Sequence, residues 1–124
     1  YPTTSVKQEI KQVFRQFEED YFYVQQKAIA ESKVHRLVVN SLHGYYYVEE
    51  MEAPVKRLFI RHLPEYMTIK KLTGKDNDLV LGAHGHIQKA GTISFTYQLE
   101  GKLHSRNYVF QIHTGRFRVE DEVY

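Results

Sequence analysis

The sequence predicts an α+β fold: one long N-terminal amphipathic helix, with one or two shorter helices, packed on a curved antiparallel sheet of four to six strands. Three observations carry that expectation. Apolar residues recur at helical spacing over the first quarter of the chain, they alternate with polar residues after Pro64, and short turn signals separate the alternating runs. At 124 residues the chain has the size of a single domain, residues 1–124, and can bury a core without staples.

The first helix is the clearest element. Val6, Ile10, Val13, Phe14, Phe17, Tyr21, Val24 and Ala28 form its apolar stripe. Ser5 is placed to cap it, with Gln8 three residues on completing a capping box. A helix over residues 5–29 would be about 37 Å long. Such a helix is marginal alone, so its stripe must pack on something.

Residues 30–64 read less simply. Ser32 to Val39 suits either the start of a second helix or a strand. Gly44 punctuates the run, and Tyr45-Tyr46-Tyr47-Val48 has the aromatic and β-branched bias of a short strand. Ala53-Pro54 suits a helix start, and Val55, Leu58, Phe59 and Leu63 continue at helical spacing. The favoured order here is helix, short strand, helix.

Beyond Pro64 the period is two. Met67 and Ile69 share one strand face, and Thr73 to Asp78 is dense in turn formers. Leu79, Leu81, Ala83 and Ile87 share one face of a further strand. Lys89-Ala90-Gly91 turns the chain into Ile93, Phe95, Tyr97 and Leu99, the cleanest alternation of all. Glu100-Gly101-Lys102 signals a hairpin. Tyr108, Phe110 and Ile112 face inward on the next strand, and after Thr114-Gly115 the last strand carries Phe117 and Val119. Consecutive strands with short turns make an antiparallel meander whose buried face the helix can cover, Val6 and Ile10 lying over Phe95 and Tyr97.

Composition excludes several functions. There is no cysteine, which rules out disulfides and thiolate metal sites. Lysines and arginines number 17 against 15 acidic residues, a net charge of +2, well short of the basic excess of a dedicated nucleic-acid binder. No run approaches the length of a membrane span. The chain opens Tyr1-Pro2-Thr3-Thr4, without an initiator methionine or signal pattern. It is expected to be a processed piece, with room for an N-terminal membrane anchor outside it, and an extracytoplasmic bacterial setting fits the missing thiols.

Candidate chemistry is sparse. His84-Gly85-His86 would place two imidazoles on one face of a strand, where they could share a metal. A third ligand from His104 or His113 does not share their register, so a polar sheet face is the preferred reading. No nucleophile elbow exists, Gly82, Gly85 and Gly91 open no phosphate loop, and Asp76-Asn77-Asp78 lacks the downstream glutamate of a calcium loop. Glu18-Glu19-Asp20, Glu49 to Glu52 and Glu120-Asp121-Glu122 are expected to be mostly solvated. No catalytic residue, cofactor or metal is assigned.

Aromatic residues are abundant, with ten tyrosines and seven phenylalanines and no tryptophan. Tyr45, Tyr46 and Tyr47 cannot all point inward on a strand, so at least one ring should meet solvent, a partner or a pocket mouth. On the first helix, Lys11, Arg15, Phe22 and Ile29 fall on a strip away from the main stripe. A basic and aromatic second strip is the candidate interaction surface; the competing expectation is that Phe22 packs under residues 30–64. Lys56, Arg57, Arg61, Lys70, Lys71 and Lys75 form a second basic region where phosphate contact is conceivable.

The element order, a long first helix, a broken middle and a meander of long strands, resembles the nuclear transport factor two-like (cystatin-like α+β) superfamily over the whole chain. Phe14-Arg15-Gln16-Phe17-Glu18-Glu19-Asp20-Tyr21-Phe22 is similar to the first helix of its extracytoplasmic domains, including assembly-scaffold subunits of bacterial type IV secretion and conjugation systems. Phe117-Arg118-Val119-Glu120-Asp121-Glu122-Val123-Tyr124 is similar to the last strand of eukaryotic transport and ribonucleoprotein adaptors of that fold. The chain departs from the superfamily pattern over residues 30–48. The resemblance implies a cone between helix and sheet that some members use for catalysis, others for ligand binding, and many only as a frame for dimerisation.

The expectation ranked first is therefore a non-catalytic interaction domain, binding protein partners or its own copies in a secretion or conjugation scaffold. Second comes a small-molecule or ketosteroid isomerase-like pocket protein, with tyrosines and a histidine lining the cone. Third comes a ribonucleoprotein or transport adaptor using Arg57, Arg61 and Lys70, although the charge balance argues against nucleic acid.

Overall fold

The computed structural model describes residues 2–74, 76–89 and 91–124; Lys75 and Ala90 lie outside the described residues. Helix α1 spans Pro2–Glu31. Its buried stripe is Ile10, Phe14, Phe17, Tyr21, Val24 and Ala28, with Val6 and Val13 packed against the same core. The helix starts before Ser5, which lies inside it, so the expected capping box does not mark its beginning. Its end is a Schellman turn. Lys33 N–H donates to the Ala28 carbonyl at 3.1 Å, Ser32 N–H donates to Ile29 at 3.3 Å, and Ser32 takes the left-handed conformation at φ 53°.

The middle of the chain departs from the expected helices. Residues 30–64 form three strands, β1 (His35–Asn40), β2 (Tyr45–Glu50) and β3 (Lys56–His62). His35, Leu37 and Val39 point to the core from β1, and Tyr46 and Val48 from β2. The Leu58 and Phe59 pair that suggested a helix is equally compatible with an edge strand, and the free side of β2 decides the matter by pairing with it. Pro54 sits in the β2–β3 connection, its bond to Ala53 cis.

The remaining strands are β4 (Met67–Lys71), β5 (Asp78–Leu81), β6 (Ile87–Lys89), β7 (Gly91–Leu99), β8 (Lys102–Phe110) and β9 (Phe117–Val123). The single strand expected through Leu79 and Ile87 is broken into β5 and β6 by a turn in which Gly82 N–H bonds the His86 carbonyl at 2.8 Å. The Glu100-Gly101 turn between β7 and β8 is as expected, with positive φ at both residues. Ile112, expected inside, is largely exposed, as is Val119 of β9.

Two antiparallel sheets result, ordered β3-β2-β1-β5-β6 and β4-β7-β8-β9. The α+β class and the long helix on antiparallel strands hold; the shorter helices are replaced by strands among the described residues, and the sheet count doubles. One core joins all three layers. Phe17 is its hub, its ring 5.3 Å from Tyr46 in the first sheet and 5.0 and 4.8 Å from Phe95 and Tyr108 in the second. Phe14 meets Phe95 edge-on at 5.5 Å, so the helix stripe does lie over the Phe95 and Tyr97 face. Aromatic rings fill the centre of this core, and the openings between helix and sheets lie at its two margins, one beside β8 and one beside β3. Among the described residues no helix is long and apolar enough to cross a membrane.

Candidate functional site

Lys11, Arg15, Phe22 and Ile29 all lie on one flank of α1, as a rotation of 100° per residue requires. Lys11 and Arg15 are exposed on the rim of an open groove of about 430 Å³ whose floor includes Ile10, Phe14, Tyr97 and Leu99. The far wall is built by β8. There Arg106 lies over the Phe14 ring at 4.5 Å and donates to both Asp121 oxygens, at 2.8 and 3.0 Å. The Asp121 carboxylate holds the Arg106 guanidinium above its ordinary pKa. Lys7 pairs with Glu100 at 2.9 Å, and Glu18 accepts the Tyr108 hydroxyl at 2.7 Å. Among the described residues Lys11 and Arg15 form no ion pair, which leaves two uncommitted cations above an apolar floor.

Phe22 and Ile29 sit further along the flank, 50% and 46% exposed. Phe22 does not pack under residues 30–64. Its ring meets Phe117 of β9 at 5.7 Å, while Tyr23, one position round the helix, faces Phe59 of β3 at 6.0 Å. Ile29 covers Gly85, where an added Cβ would come within 2.6 Å of its Cδ1. Two loops are pinned beside them. The Tyr21 hydroxyl donates to the Gly115 carbonyl at 2.6 Å, and Gln25 Nε2 donates to the carbonyls of Gly85 at 2.9 Å and Gly115 at 3.4 Å. The structure thus places the four residues in one line. Only Lys11 and Arg15 share a groove.

Other candidates separate. His84 and His86 lie in the β5–β6 turn, so the argument from strand parity no longer applies; their rings are stacked at 6.2 Å. His104 stacks on Tyr97 at 5.2 Å. The second basic region divides between β3 and β4, which belong to different sheets. Arg57 covers the Tyr47 ring at 4.3 Å, and Arg61 is engaged by Asp20.

Asp20 is where the expected solvation of the acidic clusters fails. It is 4% exposed. Its Oδ2 accepts the Tyr46 hydroxyl at 2.7 Å and Arg61 Nε at 2.9 Å, and its Oδ1 accepts Arg61 Nη2 at 3.1 Å and Gln16 Nε2 at 2.9 Å. Burial first, then the Asp20 bond, pushes the Tyr46 hydroxyl well above its ordinary pKa. With both oxygens occupied, the carboxylate clasps the helix to β2 and β3 and has no free lone pair aimed at a substrate. A signal was there to read, since Asp20 stands three residues from Phe17 and four from Val24, on the apolar stripe itself. Glu49 and Asp78 are also buried, both facing Arg36.

No protein-family model matches the chain, and no curated protein matches it. In three dimensions it is similar to the minor pseudopilin EpsH from the type 2 secretion system of Vibrio cholerae, with a TM-score of 0.73 and 14% identity over 90% of this chain and 96% of that one. At that identity the likeness is one of fold. It overturns the resemblance to the nuclear transport factor two-like superfamily, and with it the type IV secretion and conjugation branch. The broken helical middle on which that resemblance rested is three strands, and the single curved sheet is two.

Proposed function

We propose that the chain is a non-catalytic subunit of a multi-subunit secretion apparatus, and that it docks neighbouring subunits along the α1 flank carrying Lys11, Arg15, Phe22 and Ile29. The observation that carries this reading is the groove beside β8, where the uncommitted cations Lys11 and Arg15 overhang an apolar floor. The fold likeness to a minor pseudopilin of a type 2 secretion system supports the setting.

The groove suits a segment that brings carboxylates and small apolar side chains together. The exposed edge strand β9 of a second copy has that chemistry, with Glu120 and Glu122 on one face and Val119 and Val123 on the other. A contact between two unlike patches is heterologous, so copies can add in a line instead of closing as a pair. Interfaces of this kind draw their strength from a few anchors, with Arg and aromatic residues foremost.

Sedimentation velocity on the purified chain tests the reading. Self-association is expected at low salt and should weaken as salt screens the charges. Arg15→Glu with Lys11→Glu should weaken it by about tenfold or more, and a partner carrying Glu120→Arg and Glu122→Arg should restore it. A chain that stays monomeric over the accessible concentration range, or associates equally well after the charge reversal, overturns the proposal.

A further inference from the structure

At the end of α1 away from the groove, the core face of the first sheet closes on polar residues. His35 opens β1 and pairs in register with Glu50, which ends β2. Following the alternation Leu37 and Val39 on one strand, and Tyr46 and Val48 on the other, both positions point inward. The last residue of the helix, Glu31, reaches the same spot. Ligand atoms of Glu31, His35 and Glu50 all lie within 4.8 Å of one another.

The histidine is the telling member. His35 is 0% exposed, and its Nδ1 lies 2.9 Å from the Lys33 carbonyl oxygen. A carbonyl only accepts, so Nδ1 carries a proton and Nε2 is the nitrogen left to face the carboxylates. That Nε2 has no hydrogen-bond partner, and the Glu50 carboxylate stands off at 3.9 Å, too far for a hydrogen bond. A buried ring nitrogen left without a partner is costly, which calls for something to occupy the space in front of it. An imidazole held by a backbone carbonyl at one nitrogen and open at the other has the arrangement that metal-ligating histidines adopt.

We propose that Glu31, His35 and Glu50 bind one divalent transition-metal ion of the zinc class. One imidazole and two carboxylates suit Zn²⁺, Co²⁺ or Mn²⁺ and do not suit Ca²⁺, which takes oxygen ligands alone. Ligands at about 2.0–2.2 Å from a tetrahedral ion stand roughly 3.4 Å apart. Small rotations of the exposed Glu31 and half-buried Glu50 side chains reach that from the separations present. Lys27 occupies Oε2 of Glu31, leaving Oε1 for the ion. The exposure of Glu31 leaves the fourth position to water. The ion ties the last turn of α1 to the β1–β2 ladder, independently of the proposed docking flank.

Isothermal titration of the metal-stripped full chain with Zn²⁺ is expected to give one equivalent. Glu31→Gln, at an exposed position the fold tolerates, should weaken binding by about tenfold or more. His84→Ala with His86→Ala should leave binding unchanged. Co²⁺ should produce visible ligand-field bands that Glu31→Gln weakens, and Zn²⁺ should shift the Nε2 nitrogen resonance of His35. Ca²⁺ should neither bind there nor compete. Absence of Zn²⁺ binding, an affinity unmoved by Glu31→Gln, loss of binding in the His84 and His86 variant, or preference for Ca²⁺ each overturns the inference.

Discussion

Cutting the Asp20 clasp distinguishes a structural carboxylate from a chemical one. In Asp20→Ala, Arg61 loses a bidentate partner, but its side chain is 40% exposed and water replaces the carboxylate, so that loss is about 1 kcal/mol. Tyr46 is 1% exposed, so its orphaned hydroxyl costs about 1–3 kcal/mol. The sum is about 3 kcal/mol. Tyr46→Phe removes one of four donors and leaves Asp20 with three, a cost of about 1 kcal/mol. In the double variant no hydroxyl is stranded, so the combined loss should fall short of the sum of the singles by about 1–2 kcal/mol. Equilibrium unfolding in urea measures each term by linear extrapolation. Far-ultraviolet circular dichroism is the natural probe, as the chain has no tryptophan. Additivity within about 0.5 kcal/mol, or an Asp20→Ala loss below that, would refute the claim that this contact holds the helix to the first sheet.

Further outcomes follow from the same structure. Phe17→Ala removes the ring shared by both sheets and should cost about 3–5 kcal/mol, read as a lower urea midpoint, whereas the exposed Phe22→Ala should stay near neutrality. Burial lifts the hydroxyls of Tyr21, Tyr46 and Tyr108 above the ordinary 10.0. They stay protonated in the fold while the unfolded chain ionises, so their contribution is complete below pH 10 and is lost as pH rises beyond it. Tyr66 and Tyr97 are raised in the same way, and each such group adds up to about 1.4 kcal/mol per pH unit to the fall; Tyr46→Phe should remove one such increment from the slope, as alkaline unfolding monitored by tyrosinate absorbance would show. Ser32→Gly relieves the left-handed conformation at the helix end and should stabilise by about 0.5–1 kcal/mol, a rise of several degrees in Tm. Gly115→Ala should do the opposite, because φ is +72° there and an added Cβ would stand 2.2 Å from Gln25 Nε2.

The parts of the fold legible in the sequence are those where one period had no competitor. Eight apolar positions from Val6 to Ala28 fit only a helix, and Ile93 to Leu99 fits only a half-buried strand. Residues 55–63 fit both periods, and pairing with β2, a contact distant from the local pattern, settled them as strand. The break between β5 and β6 was hidden because Leu79, Leu81, Ala83 and Ile87 keep the parity of a continuous strand across the Gly82–His86 turn. For the candidate surface, Lys11 and Arg15 were identifiable by angle on the helix. The wall opposite them, Arg106 with Asp121, depends on the β8–β9 register and left no local mark. Asp20 and His35 were readable as polar residues on apolar faces, yet their partners Arg61 and Glu50 could be known only once β1 to β3 were placed.

The hub at Phe17 has a bearing on biosynthesis. Its ring neighbours Phe95 and Tyr108 are translated roughly 80–90 codons later. At about 5–20 residues per second, the greasy side of the nascent helix waits roughly 4–18 s on the ribosome for its partners. During that interval it is a natural chaperone client, and any stop codon before β7 would release a chain whose longest element has only the first sheet to lie on.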